Sequence, residues 1–171
     1  MKKHKAKKHA KKNKGFSLIE LLIVVAIILI IAAIAIPNLL RSRIAANEAS
    51  AVGSIRTLNT AEVTFNTTYP TVGFTTLTNL GPVTGGGSPT STAAGLIDAN
   101  LADGVKSGYN FTLNPVVASS GPNTDYQSAA APVTPGTTGQ RYFCSDSSGV
   151  IQYNATQATG ATCAGGANTP I

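Results

Sequence analysis

Glu20 is the side chain whose position most restricts the chemistry open to this chain. It is the single charged residue in an apolar segment that runs from Phe16 to Ile36. As a helix that segment is roughly 30 Å long, at about 1.5 Å of rise per residue, which matches the hydrocarbon core of a bilayer. A carboxylate in such a segment costs at least about 2.5 kcal/mol without a partner. The pattern therefore predicts electrostatic pairing, in a helix suited to leaving the membrane and packing against copies of itself.

Eight lysines precede the apolar segment and set its orientation. They are Lys2, Lys3, Lys5, Lys7, Lys8, Lys11, Lys12 and Lys14. The positive-inside rule keeps this flank cytoplasmic and sends the remainder outward. A secretory signal peptide also places a basic region before an apolar one, but its cleavage site follows the apolar part. The candidate A-x-A site at Ala33 to Ala35 is surrounded by Ile34 and Ile36, and the helix runs on past it, which disfavours cleavage there.

The junction between Gly15 and Phe16 is a different kind of candidate site, on the cytoplasmic side of the apolar segment. Gly15 is followed by Phe16-Ser17-Leu18-Ile19-Glu20, a long apolar run and Pro37. Over about residues 14 to 45 this pattern closely resembles the class III signal and N-terminal helix of type IV pilins and type II secretion pseudopilins. The resemblance implies that a prepilin peptidase cuts between Gly15 and Phe16 and methylates the new N-terminal Phe16.

The resemblance also implies a role for Glu20 in assembly. In this family the matching glutamate neutralises the N-terminal amine of a neighbouring subunit as the subunit joins the filament. The physics agrees, because cleavage leaves an ammonium on Phe16 about one helical turn away, and opposite charges attract strongly in a low-dielectric helix bundle. The alternative is a carboxylate that reaches the cytoplasmic interface from its shallow depth. In either case the helix dipole favours an anion in the first turn.

Charge and histidine content exclude several classes of function. The whole chain carries +6, which alone would suggest nucleic acid or anionic lipid, but residues 16–171 hold five basic side chains against seven acidic ones, giving −2. The basic character belongs to the leader, so no nucleic-acid binding is predicted. His4 and His9 also lie in the leader, which excludes Ser-His-Asp and Cys-His catalysis after cleavage. We expect no enzyme activity, no cofactor and no metal site, with Asp98 and Asp103 in a solvated loop.

Pro37 ends the apolar run inside a predicted helix of some fifty residues, about 75 Å long. Proline removes one intrahelical hydrogen bond and kinks or loosens a helix without necessarily stopping it. The sequence does not decide whether the helix near Pro37 stays intact or melts in an assembled filament. Beyond it the pattern is amphipathic, with the helix ending near Thr68 before Tyr69-Pro70. The predicted apolar stripe is Leu40, Ile44, Ala51, Val52, Ile55, Leu58 and Phe65, with Arg41, Arg43, Glu48, Arg56 and Glu62 mostly elsewhere.

The remaining hundred or so residues suffice for one small head domain resting on that stripe. Residues 71–104 are predicted to form a loop region with a short helical turn at Leu96 to Leu101, and Gly85 to Pro89 a flexible tip rather than a phosphate cradle. Strand patterns follow in the last third of the chain, predicting a three- or four-stranded antiparallel meander. They are Tyr109-Phe111-Leu113, a run near Tyr126 to Pro132, and Arg141 to Cys144 with Val150 to Tyr153 flanking a hairpin loop.

Cys144 and Cys163 are the only cysteines, and both fall in the exported part, where disulfides persist. Paired, they would close a loop of about nineteen residues, worth on the order of 3 kcal/mol. A C-terminal disulfide loop is typical of type IV pilins, whereas major pseudopilins generally lack one and carry a calcium site. No matching acidic cluster is evident, and Asp146 is expected to be a turn residue rather than a ligand.

The predicted fold class is α+β, in four parts: a cleaved basic leader (1–15), a transmembrane or filament-core helix (16–36), an amphipathic helix half (37–69) and a globular head (70–171). The resemblance implies a structural subunit of a type IV pilus-like filament, a homopolymer held by the N-terminal helix. The implied partners are prepilin peptidase, an inner-membrane assembly platform with its ATPase, and inner-membrane lipid.

Two alternatives stay open: a major pseudopilin of a type II secretion system, and a minor tip pilin that binds a surface, DNA or a secreted substrate. In each case the subunit starts as a single-pass inner-membrane protein with a periplasmic head. It ends in an extracellular pilus or in a periplasm-spanning pseudopilus.

Overall fold

The computed structural model describes residues 15–155 and 169–171. It divides the chain into two compact units, one ending at Leu39 and the other running from Leu40 to Ile171. The long helix α1 (Leu18–Thr68, 51 residues) contributes to both. A sheet of short strands lies in the second unit, so the α+β fold class is confirmed.

Helix α1 continues through Pro37 and ends at Thr68, where Tyr69-Pro70 was expected to stop it. Its last turns are rich in threonine, a weak helix former whose hydroxyl competes for backbone groups. Here those hydroxyls donate to the carbonyl four residues earlier, at 2.8 to 3.1 Å, so they are satisfied within the helix. The five residues are Thr57, Thr60, Thr64, Thr67 and Thr68.

The second half of α1 buries one stripe, as predicted, but two members of that stripe are acidic. Glu48 and Glu62 are 6% and 0% exposed, so the expectation that they lie away from the buried stripe was wrong. Each carboxylate accepts hydrogen bonds from the head, a long-range contact that helical periodicity cannot reveal. Leu40, expected in the stripe, is 43% exposed. The buried positions are Ile44, Glu48, Ala51, Ser54, Ile55, Leu58, Ala61, Glu62 and Phe65.

The segment between α1 and the sheet contains two one-turn helices, α2 (Leu77–Leu80) and α3 (Ala99–Ala102). Leu80 and Leu101 are fully buried, so this segment contributes to the core and is more than the loop region expected. The predicted helical turn at Leu96 to Leu101 corresponds to α3. Asp98 caps α3 by accepting a hydrogen bond from the Leu101 amide at 3.2 Å.

Six strands in the described ranges form one sheet in chain order, each antiparallel to the next. The prediction of three or four was too low, because β1 and β6 have only two residues each and leave no alternating pattern. The strands are β1 (Val105–Lys106), β2 (Tyr109–Val116), β3 (Asp125–Pro132), β4 (Tyr142–Asp146), β5 (Gln152–Asn154) and β6 (Thr169–Pro170).

The core lies between the sheet and the buried stripe of α1. On β2 the aromatic and aliphatic side chains point inward, as their alternation predicted, whereas the inward positions of β3 include the small Ser128 and Ala130. Tyr109 is buried at the centre, and Gly139 packs against its ring. A Cβ added at Gly139 would overlap the Tyr109 hydroxyl, so the close approach requires glycine there.

Candidate functional site

The predicted processing site lies just ahead of α1. Gly15, Phe16 and Ser17 have no regular secondary structure and are exposed, with Phe16 at 86%. A Cβ added at Gly15 would have no neighbour within 4 Å. The peptide bond between Gly15 and Phe16 is therefore in an open segment of chain, the kind of backbone that a protease can bind.

Glu20 caps the helix that it belongs to. Its Oε2 accepts a hydrogen bond from the Ser17 amide at 2.9 Å, and Ser17 lies immediately before the first helical residue, Leu18. The spacing is that of a capping box, in which a glutamate three residues after the N-cap returns to the N-cap amide. Sequence reasoning missed this contact, although Ser-x-x-Glu before an apolar run is the recognised signal.

The capping contact leaves most of the Glu20 carboxylate unused. An ionised carboxylate has about four acceptor positions, and within residues 15–155 and 169–171 this one accepts a single hydrogen bond, from a neutral donor. Glu20 is also an exposed residue. The site can therefore accept a further donor, and a cation would be the strongest one.

The large side chains of the apolar segment are exposed. Every large apolar side chain from Phe16 to Ile36 is exposed, from 46% at Val25 to 86% at Phe16. Burying such a side chain is worth about 1.5–3 kcal/mol, so this surface is costly to leave in water. By length and composition α1 is the one described helix that could cross a membrane, with a mean hydropathy of 3.3 in its most apolar window.

Pro37 lies inside α1, two residues before the end of the first unit at Leu39. Its ring nitrogen carries no proton, so one hydrogen bond of the helix ladder is missing at this point. Of the site residues predicted from the sequence, Gly15, Phe16 and Glu20 lie at or just before the start of α1, whereas Pro37 lies well inside it.

Glu48 is a buried carboxylate with a cationic partner. Its Oε2 lies 2.7 Å from both Nε and Nη2 of Arg141. Its Oε1 accepts a hydrogen bond from the backbone amide of Gln140 at 2.9 Å. Arg141 also packs near the rings of Phe143 and Tyr153, at 5.6 and 5.3 Å. Glu48 therefore joins α1 to the segment that leads into β4.

Glu62 is fully buried, and its hydrogen-bond donor is the backbone amide of Thr75, which lies 3.2 and 3.1 Å from the two carboxylate oxygens. Burial raises the pKa of Glu62 to about 7, and the Thr75 hydrogen bond opposes that rise without cancelling it. Burial also raises the pKa of nearby Tyr126 to about 12, with a further contribution from Glu62. This carboxylate fixes the turn after α1 to the helix.

Of the predicted disulfide, only one end can be placed. Cys144 lies on β4 and is 5% exposed. Cys163 lies outside the described residues, so the pairing stays a prediction. Asp146 accepts hydrogen bonds from the Ser148 amide and hydroxyl in the β4–β5 hairpin, which is the turn role expected of it.

The N-terminal segment that contains this site is similar to a known family and to known proteins. Residues 10–36 match the family model described as the prokaryotic N-terminal methylation motif. The chain is 48% identical over 54 residues to the type IV major pilin protein PilA of Myxococcus xanthus, which is 32% of this chain and 24% of that protein. It is 69% identical over 35 residues to the type IV wide pilus major component PilA4 of Thermus thermophilus, which is 20% of this chain and 27% of that protein.

These matches cover the N-terminal segment, and they support the assignment of this chain as a type IV pilin family protein. The chain spans about a quarter of the length of the curated relatives it matches. No solved structure matches it significantly.

Proposed function

We propose that this chain is the structural subunit of a type IV pilus-like filament. A prepilin peptidase cleaves it after Gly15 and methylates Phe16, and the mature subunit assembles through its N-terminal helix. The observation that carries the proposal is the methylation motif at residues 10–36, with a glutamate that accepts one hydrogen bond, from a neutral amide, in the described part of the chain.

The geometry at Ser17 supports a proposal of two successive roles for the glutamate. In the precursor, Glu20 holds the Ser17 amide and so starts the helix at Leu18. Cleavage creates an ammonium on Phe16, one residue before the amide that Glu20 already holds. The free acceptor positions of Glu20 then accept hydrogen bonds from an ammonium, which we assign to a neighbouring subunit. Both charges leave water when two subunits pack together, and the attraction between them is stronger there than in water.

The exposed apolar segment supports a subunit that changes surroundings. Inner-membrane lipid covers residues 16–36 first, with the basic leader in the cytoplasm and the head in the periplasm. Sister subunits cover the same surface in the filament. The assembly platform and its ATPase move the subunit from the membrane into the filament. Pro37 lies where the segment ends, and its missing hydrogen bond makes the helix easiest to loosen there.

As the form of this filament, we favour a surface pilus over a type II secretion pseudopilus. The two relatives reported above are both named as major pilus components. The proposed Cys144–Cys163 disulfide loop, typical of type IV pilins, favours the same form over a type II secretion pseudopilus. The role is structural, and the proposal includes no reaction catalysed by the head.

The intact mass of the protein in a sheared cell-surface fraction tests this proposal, using a native or closely related host. The expected result is a dominant species that begins at Phe16 and is one methyl group heavier than the unmodified chain. The same species confined to the cell envelope would favour a pseudopilus or a minor subunit. A chain that keeps its leader in every fraction would contradict the proposal.

A further inference from the structure

In the second unit, the exposed and half-exposed charges without an ion pair are separated by sign, with the cations on α1 and the acids beyond it. Among the described residues two ion pairs form, Arg141 with Glu48 and Lys106 with Asp98, each at 2.7 to 2.8 Å. The other three cations of this unit all lie on α1, are exposed and make no ion pair there; they are Arg41, Arg43 and Arg56. The exposed or half-exposed acids without a cation all lie beyond the helix, at Asp103, Asp125 and Asp146.

Arg41 lines a groove together with a second guanidinium, that of Arg141. The groove has a volume of about 300 Å³ and lies between α1 and the segment that enters β4. Its lining residues are Arg41, Ile44, Ala45, Glu48, Gln140 and Arg141. Because Arg141 holds both Nε and Nη2 against Glu48, these two charges compensate each other. The groove therefore keeps a net charge of one positive, supplied by Arg41.

Asp103 is the acid with the fewest partners in the described part of the chain. Asp125 accepts a hydrogen bond from the Tyr126 amide at 2.7 Å, and Asp146 accepts one from the Ser148 amide at 2.9 Å. The Asp103 side chain makes neither a hydrogen bond nor an ion pair within the described ranges, and it is exposed at the end of α3. An exposed carboxylate of this kind is free to enter a neighbouring site.

We propose that the groove at Arg41 binds Asp103 of a second copy of this chain. Identical subunits that contact one another through two different surfaces build open helical filaments when the rotation does not close into a ring. The proposed contact is of this kind, because it joins the helix side of one copy to the head side of the next. Opposite charges on those two sides orient the encounter and disfavour the wrong register. The inference rests on the proposed function, because it describes a contact between filament subunits.

Charge reversal followed by charge exchange tests the contact in the full chain. Arg41→Glu and Asp103→Lys, made separately, should each lower the yield of sheared filaments by about tenfold, because like charges then face each other. The exchange variant Arg41→Asp/Asp103→Arg restores an opposite pair at every contact and should return the yield to near the wild-type level. Arg43→Glu is the matched control, since it makes the same charge change on the same helix outside the groove.

The level of each variant in the membrane fraction separates assembly from folding. Asp103 is exposed, so Asp103→Lys should accumulate normally in the membrane even though it assembles poorly. Wild-type yield from Asp103→Lys, an equal loss from Arg43→Glu, or no recovery in the exchange variant would each overturn the inference. A wild-type chain that forms no filament in a host with the assembly machinery would instead overturn the proposed function.

Discussion

The two halves of α1 differ in where their carboxylates find partners. The helix has three acidic residues, Glu20, Glu48 and Glu62. Glu48 and Glu62 are buried and accept hydrogen bonds from residues that are more than ten positions away in the sequence. Glu20 is exposed, and its partner is the amide three residues before it.

This difference shows which half of the helix is completed within the chain. In the second half, Glu48 pairs with a guanidinium and Glu62 accepts from a buried backbone amide, so both carboxylates are in contact with the head. The first half offers exposed apolar side chains and one carboxylate with acceptor positions to spare. Contacts among the described residues leave this half exposed, which is the condition expected of a surface that polymerises.

The largest effect is predicted at Glu20. Glu20→Ala should leave processing and membrane insertion largely intact and lower filament yield by more than about tenfold, because breaking a desolvated ion pair costs about 3–5 kcal/mol. Filaments are quantified in the sheared fraction, and cleaved precursor in the membrane fraction.

Glu20→Gln separates the two roles of the glutamate. Glutamine at this position can still accept from the Ser17 amide, as in a capping box, but carries no charge. If the charge is what assembly needs, Gln and Ala should be equally defective. Filament yield restored by Gln would show that the helix cap alone is required and would count against the charge pair.

A smaller effect, on stability, is predicted at Glu48. Glu48→Ala leaves the amides of Gln140 and Arg141 and the guanidinium of Arg141 without their acceptor, and should destabilise the head by about 3 kcal/mol. The chain has no tryptophan, so unfolding in detergent is followed by near-ultraviolet circular dichroism of the buried Tyr109 and Tyr126.

Glu48→Gln is the matched control for this measurement. It keeps an acceptor oxygen for the two backbone amides but replaces the oxygen that faces Arg141 with an NH2 group, so it removes the charge and the acceptor of the guanidinium. A loss smaller than that of Glu48→Ala is expected. Equal losses from the two variants would assign the stability to the ion pair alone. No loss from either variant would contradict the role of Glu48 in joining α1 to β4.

The sequence predicted the features that depend on local pattern. Phe16 to Ile36 is apolar at every turn and Tyr69-Pro70 stops a helix, so the course of α1 follows from short-range rules. The alternation of Tyr109, Phe111 and Leu113 likewise placed β2. The predicted roles of Gly15, Phe16, Glu20 and Pro37 rest on the resemblance, and the mass and assembly experiments test them.

What the sequence did not predict depends on contacts between distant residues. Periodicity assigns charged residues to the solvent side of a helix, and nothing near Glu48 or Glu62 in the sequence announces Arg141 or Thr75. The two-residue strands β1 and β6 form because longer neighbours offer them free backbone groups, which leaves no pattern of their own. The capping box at Ser17 was local and could have been found from the sequence.

The smallest effect is predicted at Glu62, and its sign depends on pH. The pKa of Glu62 is raised from 4.5 to about 7 in the folded protein, so the folded state holds this proton more tightly than the unfolded state does. The stabilisation linked to that proton is complete below pH 4.5, falls as the pH rises toward about 7, and is absent above it. Glu62→Gln removes the titration, and at about pH 8 it should stabilise the head by about 1–2 kcal/mol, less than the full linkage because its amide needs a new acceptor.

The slope of melting temperature against pH is the decisive quantity for Glu62. Between about pH 4.5 and 7 the wild-type melting temperature should fall more steeply than that of Glu62→Gln. Ser54→Ala is the matched control, because Ser54 is a buried polar residue on the same helix face but does not titrate. It should shift the melting temperature equally at every pH and leave the slope unchanged. Parallel curves for wild type and Glu62→Gln would mean that this carboxylate does not gain its proton near neutral pH.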